Sequence, residues 1–465
     1  MQSCNANTQA EQARELFSKG CALLKTGEPA IALTYFLRIQ ELAAPNPAVL
    51  LHAGSALHDL GRFDEAVSTY QSALQLDSNM GEIHNNLGNS LMALGRFTEA
   101  VESFEIAARL LPSSPVPLTA LATAQQATGK IIEAGASCRA ALALKPDFSE
   151  AHWNLALNLL LQGNYSEGWK EYEWRWLKGG FTSPRRHTDI QQWDGAPLCG
   201  STILLHAEQG FGDAIQFVRY VPLVSQQGGT VVLECHPQLV SLFQEVAGVK
   251  LVIPFGAAPT GAEYQAPLLS LPHIFNTTLD NIPARTPYLY VPSEYSRKWK
   301  SLMSGYHGTR RIGLVWAGKS YPDPLRSCRL SDFAPIGAVD NVTFFSLQIG
   351  DGSEQSVCPP DNFRLVNLTA NVNDFADTAA LIDQLDLVIS IDTATAHLSA
   401  ALGRPTWLLL PFAPDWRWLL RRNDSPWYPT MRIFRQEQQG MGWGKVIETV
   451  AAALEDCSLQ KNKIP

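Results

Sequence analysis

With 465 residues, 46% of them hydrophobic and 17% charged, the chain is long enough for two or three separate cores and too apolar to be disordered. A formal charge of −8 without any run of Lys or Arg argues against a surface that neutralises phosphates, so nucleic acid is not an expected partner. Eight cysteines form no C-x-x-C pair, no stretch reaches the roughly 18 apolar residues of a membrane span, and the opening Met1–Asn5 is polar, so the expectation is a cytoplasmic protein without structural zinc, disulfides or a transmembrane segment.

The first third repeats itself every 34 residues, at Gly27, Gly61, Gly95, Gly129 and Gly163. The same step links Ala32, Ala66, Ala100, Ala134 and Gly168, and separately Phe36, Tyr70, Phe104, Cys138 and Tyr172. A small residue lets two helices approach and a large one fills the space between pairs, so stacked helical hairpins are predicted with the glycines in the turns. Leu60–Ala66 (LGRFDEA) and Leu94–Ala100 (LGRFTEA) resemble the tetratricopeptide repeat, which implies an α-solenoid over residues 10–178. Such arrays act as scaffolds or hold partners on their concave face. The aromatics of Glu171–Trp176 (EYEWRW) read as a cap docking onto the next domain, and the Gly- and Pro-rich stretch 179–200 reads as a connection.

From Thr202 short apolar runs alternate with helical ones: Ile203–Leu205, 213–227, Val231–Leu233 and 237–246, then Ile312–Trp316, Phe344–Leu347, Leu387–Ile391 and Thr406–Leu410. This rhythm predicts two doubly wound, Rossmann-like lobes, at 200–295 and 308–457. Open parallel sheets bind ligands beyond the carboxyl ends of their strands, so the loops after Leu205, Trp316 and Ile391 should meet at a cleft.

Two of those loops carry unusual residues. Ile391–Leu398 (IDTATAHL) leaves a strand and starts a helix, with Asp392 or Thr393 as its N-cap, and its first amides suit a phosphate. An ordinary capped helix and a satisfied buried His397 are the plain alternatives, and proline at Thr393 should be tolerated if that residue lies in the first turn. In His206–Gln216 (HAEQGFGDAIQ) two glycines precede an acid at a helix start; by itself Asp213 reads as a helix cap, and the spacing is not a dinucleotide fingerprint.

Gly210–Asp213 (GFGD), Trp316–Lys319 (WAGK) with Leu325–Ser327 (LRS), and Asp392–His397 (DTATAH), in this order, resemble the lipopolysaccharide heptosyltransferases over about residues 200 to 455. The resemblance implies a GT-B region in which the first lobe takes the acceptor and the second the nucleotide sugar, with inverting, metal-independent transfer and no cofactor. It further implies that Asp213 is the catalytic base, that Gln209, Gly210 and Gly212 form the acceptor loop, and that Lys319, Arg326, Ser327, Asp392, Thr393, Ala394 and His397 bind the donor. No D-x-D pair is present, which accords with the absence of a metal site. Two departures from the family pattern are Ala394 in place of glycine and Arg326 in place of a phosphate-binding lysine, which leave the donor's base and sugar open. The Trp- and Pro-rich cluster Pro411–Trp418 and Asp424–Pro429 reads either as a wall of the cleft, with Arg417 on phosphate, or as packing between lobes.

The function expected is therefore a glycosyltransferase that moves a sugar from a nucleotide-sugar donor to a protein or glycan acceptor recruited by the repeats. The alternative is a repeat-based scaffold with a catalytically degenerate transferase-like region, and a nucleotide-sugar epimerase is a third.

Overall fold

Every repeat turn is closed by a residue that only glycine accommodates without strain: Gly27, Gly61, Gly95, Gly129 and Gly163 have φ between 72 and 82°. After α3 (Pro47–Asp59), for example, the Gly61 N–H donates to the His58 carbonyl and the Arg62 N–H to that of Leu57, both at 2.9 Å. The structure, a computed structural model, describes residues 2–257, 261–319, 324–361 and 363–459. It divides into two compact units, Met1–Asn158 and Leu159–Pro465.

The described residues of the first unit form helices and turns alone. Its antiparallel pairs are α1 (Gln2–Lys25) with α2 (Pro29–Leu42), α3 with α4 (Phe63–Leu76), α5 (Gly81–Ala93) with α6 (Phe97–Leu110), and α7 (Pro115–Ala127) with α8 (Ile131–Leu144). Ala32, Ala66, Ala100 and Ala134 are buried, as are Phe36, Tyr70, Phe104 and Cys138 one helical turn further on. The partner helix supplies the matching space. A Cβ at Gly20, Gly54 or Gly88 would come within 2.7, 2.4 or 2.6 Å of the Phe36, Tyr70 or Phe104 ring. The period of 34 thus encodes a ring set into a glycine notch, repeated along the array.

Helix α9 (Ser149–Leu161) runs from the first unit into the second, and α10 (Tyr165–Tyr172) with the 3₁₀ turn Glu173–Leu177 lies wholly within the second. There the chain builds two parallel sheets. The first contains β1 (Gln191–Gln192), β2 (Thr202–His206), β3 (Thr230–Cys235), β4 (Val249–Pro254) and β5 (Tyr264–Pro267), in the order β1-β5-β2-β3-β4. The second contains β6 (Arg310–Val315), β7 (Val342–Ser346), β8 (Leu365–Asn367), β9 (Leu387–Ile391), β10 (Thr406–Leu410) and β11 (Met431–Arg435), in the order β11-β10-β9-β6-β7-β8. Every residue of β7, β9 and β10 is buried, as in sheets covered on both faces, and this is why these strands read as unbroken apolar runs.

The stretch 213–227, expected as one helix, is instead three short turns: Phe211–Phe217, Val218–Tyr220 and Val221–Ser225. Pro222 cannot donate to the preceding turn, so the helix must restart there. Pro237 likewise makes the beginning of 237–246 a 3₁₀ turn before a single α-turn at Val240–Phe243.

Candidate active site

The loop after β2 becomes the helix Phe211–Phe217, and the loop after β9 becomes the helix Ala394–Ala401; the two helices pack directly on each other. Gly212 makes this approach possible. A Cβ there would sit 3.0 Å from His397 Cδ2 and 3.6 Å from Ala394 Cα, so the requirement for glycine is one of space and not of φ. The turn holding Gly210, Gly212 and Asp213 is thereby brought against the segment holding Asp392, Thr393, Ala394 and His397.

Asp213 is the third residue of its helix, and its Oδ2 accepts the Gly210 N–H at 3.0 Å. Glycine has no side chain to return the bond, so only the Asp213 half of a capping box is present. Asp213 Oδ1 accepts a charge-assisted bond from Arg417 Nη2. Burial raises the Asp213 carboxyl above its usual value, while the Arg417 guanidinium and the Gly210 amide pull the other way. Arg417 is the hub of the cluster: its Nε donates to Gln216 Oε1 at 2.6 Å, its Nη1 to Asp415 Oδ1 at 2.9 Å, and its guanidinium lies 4.3 Å from the centre of the Trp416 ring. Two carboxylates around one buried guanidinium hold it firmly charged.

Asp392 follows directly on β9, and its Oδ2 accepts the Trp418 Nε1–H at 2.8 Å. Burial, then the neighbouring Asp415, pushes its carboxyl up to about 6; Trp418, Arg417 and Arg326 act in the opposite sense. His397 Nε2 is 3.9 Å from Asp392 Oδ1, too far for a hydrogen bond, and His397 Nδ1 pairs with the Tyr428 hydroxyl at 2.8 Å. The His397 ring stacks on Trp418 with 5.2 Å between centres, and burial, followed by Arg417 and Arg219, keeps it neutral.

Thr393 is the N-cap of the helix Ala394–Ala401, with φ −144°. Its Oγ1 lies 3.0 Å from Ser390 Oγ and does not cap the helix. Proline at 393 is therefore not the tolerated change that a first-turn position implies, because its ring demands φ near −65°. Ala394 is the first helical residue and has no positive φ, so the alanine costs nothing at the position where the heptosyltransferase pattern has glycine.

The remaining residues expected to bind a donor follow β6. Ser327 Oγ accepts the Gly318 N–H at 3.1 Å, and Arg326 folds over Gly318, where a Cβ would lie 2.9 Å from its Nε. The Arg326 Nη2 donates to the Lys319 carbonyl at 3.2 Å, its buried Nε has no partner among the described residues, and the Lys319 side chain is exposed. Since β6 and β9 are neighbours, this loop and the Asp392 turn open on the same sheet edge, and the charge of Arg326 is felt at Asp392. Gln209 Oε1 accepts the Tyr172 hydroxyl at 3.2 Å, and the Tyr172 ring lies 6.5 Å from that of Trp416.

Sequence reasoning did not single out Arg219 or Tyr288. Arg219 donates to the Trp427 carbonyl at 2.7 Å and to the Tyr288 hydroxyl at 2.8 Å, and Tyr288 donates to the Ile215 carbonyl at 2.9 Å, which ties both sheets' loops together beneath the cluster. An arginine and a tyrosine outside any motif carried no signal. Among the described residues no group of three or more His, Cys, Asp or Glu side chains is placed to hold a metal ion, and no helix is long and apolar enough to cross a membrane.

Comparison with known proteins agrees with both sequence resemblances. Residues 54–95 match the description "TPR repeat", 81–114 "Tetratricopeptide repeat", and 357–410 "Glycosyltransferase family 9 (heptosyltransferase)". Protein FlbA of Caulobacter vibrioides is 28% identical over 352 residues, which is 69% of this chain and 58% of FlbA, so this chain spans less than two thirds of that relative. Among solved structures, MamA from Desulfovibrio magneticus RS-1 aligns at 19% identity with 35% of this chain and 92% of its own, at a TM-score of 0.33. The thermophilic repeat protein TTC0263 of Thermus thermophilus aligns at 22% identity with 35% and 88%, at 0.31. The chain thus combines tetratricopeptide repeats with a segment similar to the heptosyltransferase family, on parallel sheets.

Proposed function

We propose that this chain is a glycosyltransferase of GT-B type, in which the β6–β11 lobe binds a nucleotide sugar and the β1–β5 lobe presents an acceptor hydroxyl to Asp213. The observation that carries the reading is the contact of the helix Phe211–Phe217 with the helix Ala394–Ala401, which sets Asp213 and the Asp392–His397 turn in one cluster. The acceptor oxygen attacks the anomeric carbon and forms the new bond, the bond from that carbon to the diphosphate breaks with inversion, and the hydroxyl proton passes to Asp213. Arg417 works against burial in favour of the ionised form of Asp213 that a base requires, and each carboxylate oxygen retains a lone pair beyond the bond it already accepts. Charge on the departing diphosphate is met by Arg326, Lys319, the Ser327 hydroxyl and the first amides of the helix Ala394–Ala401, without a metal or other cofactor. The repeats recruit the acceptor, a protein or a glycan, on their concave face.

One observation favours the competing reading of a scaffold with an inactive transferase region: both oxygens of Asp213 are already engaged. Two measurements separate the readings. Nucleoside diphosphates and their sugars are screened for a rise in unfolding temperature, and a donor so identified is used to assay transfer by wild type and by Asp213→Asn. Asparagine keeps the size and, through its single oxygen, the bond from the Gly210 N–H, but loses the basicity and the ion pair with Arg417, so transfer should fall by at least about a hundredfold while the donor-induced shift persists. Near-normal turnover by Asp213→Asn would remove the base assignment, and the absence of any nucleotide shift in wild type would favour the scaffold.

A further inference from the structure

The loop from β2 to Asp213 has little backbone support. After the Ala207 N–H, which donates to the Glu234 carbonyl at 2.9 Å, it leaves the sheet and passes through Glu208, Gln209 and Gly210 before its helix begins at Phe211. A segment of that kind is free to move unless side chains hold it. Arg186 binds the Ala207 carbonyl and the Leu269 amide binds the Glu208 carboxylate, and further anchors come from the segment that continues the sequence of the repeats. Arg175, in the 3₁₀ turn after α10, donates from Nε to Glu208 Oε2 at 2.8 Å and from Nη2 to Glu208 Oε1 at 2.9 Å. Both side chains are sealed, at 0 and 1% exposure. The same guanidinium donates to Glu173 Oε1 at 2.8 Å and to Ser270 Oγ at 2.8 Å, and Ser270 donates to Glu173 Oε2 at 3.0 Å, which closes a ring of bonds. Tyr172 binds Gln209, the next residue of the loop, and the Ser183 hydroxyl binds the Glu208 carbonyl.

Burying a guanidinium and a carboxylate is an expensive way to gain stability, because apolar side chains of the same volume often do as well. What the planar fork supplies in addition is a fixed position for its partner. Met, Leu or Phe at these two sites would fill the volume without dictating where the backbone of Glu208 lies.

We infer that Arg175, through its bidentate pairing with Glu208, is a positioning residue for the Glu208–Asp213 loop, so that the turn following the last repeat helix is a working part of the active site. The inference rests on the transferase reading for its catalytic consequence, but its structural half can be tested without any ligand.

The test uses the full chain as wild type, Arg175→Lys and the double variant Arg175→Met/Glu208→Met. The double variant removes both fully buried charges together and leaves Glu173, whose side chain is a quarter exposed, with the Ser270 hydroxyl as a partner, and the lysine variant keeps the charge but not the fork. Amide hydrogen exchange is followed over Gln209–Asp213 and, as a reference, over β9. Exchange in the loop should rise about tenfold or more in the double variant and about threefold in Arg175→Lys, with β9 within about twofold of wild type. With the donor identified by the nucleotide screen, the maximal transfer rate should fall at least about tenfold while the half-saturating donor concentration stays within about threefold, since the donor residues lie on the other sheet. A purely structural role would lower stability and protection everywhere and leave that split absent. Loop exchange as slow as in wild type overturns the inference; if the double variant does not fold, the lysine variant decides by the same measure. Should wild type transfer no sugar from any donor, the transferase reading falls and the exchange comparison still decides whether Arg175 positions the loop.

Discussion

Asp392→Asn should make this protein more stable at neutral pH. Asp392 is largely buried just after β9, with Asp415 the main adverse charge, and its carboxyl is raised from 3.8 to about 6. The folded form therefore holds the Asp392 proton more tightly than the unfolded chain does. The stability this represents is fully present below pH 3.8 and is lost as pH rises through about 6, which leaves the ionised wild type penalised at pH 8. A displacement of this size corresponds to about 3 kcal/mol at most, and on the order of 1–3 kcal/mol after relaxation around the charge. Asparagine is isosteric, never ionises, and still offers an oxygen to the Trp418 Nε1–H, so it removes the penalty without removing the bond. The assay is thermal unfolding of wild type and variant from pH 8 to pH 5. At pH 8 the variant should melt several degrees higher, and by pH 5 the difference should shrink by about half, because the wild-type carboxyl is then mostly protonated in the folded state. A variant less stable than wild type at pH 8, or a difference that does not change with pH, would refute the claim that Asp392 is held above its ordinary value.

Three further changes test the packing. Gly212→Ala places a Cβ 3.0 Å from His397, whose ring is fixed by Trp418 and Tyr428; unfolding should cost about 1–3 kcal/mol less and any nucleotide-induced thermal shift should shrink. Gly54→Ala puts a Cβ 2.4 Å from the Tyr70 ring, so denaturant titration should show a loss of about 1–3 kcal/mol despite the better helix propensity of alanine; an unchanged midpoint would mean that the notch does not matter. Thr393→Pro, at a φ of −144° that proline cannot adopt, should lower the unfolding temperature, whereas Thr393→Ser should leave it within a degree or two.

Much of the fold was legible in the sequence because its signals are local. The 34-residue period could be read since each helical hairpin meets the same packing problem, a ring at Phe36, Tyr70 or Phe104 against a small residue one hairpin-half earlier. The strands of the second sheet could be read since a strand covered on both faces has to be apolar throughout, as Leu387–Ile391 and Thr406–Leu410 are. Edge strands such as Gln191–Gln192 and Leu365–Asn367 gave no such pattern, being short and largely exposed or half-buried.

The candidate site divides in the same way. Gly210–Asp213 and Asp392–His397 stood out because a strand-to-helix turn with small residues and an acid is a local feature of the chain, and so the sequence by itself determined which residue types stand at the two loop tips. Only the tertiary structure decided what each of them faces. It paired Asp213 with Arg417, 204 residues away, set His397 against Tyr428, and seated Arg175 on Glu208. The repeat pattern assigns α10 to the array, yet its Trp169 donates to the Thr277 carbonyl and its Tyr165 hydroxyl accepts from Trp427, within the second unit. Partners of this kind are chosen by proximity after folding, through burial that makes every unpaired polar group costly, and neither spacing nor composition along the chain records that choice.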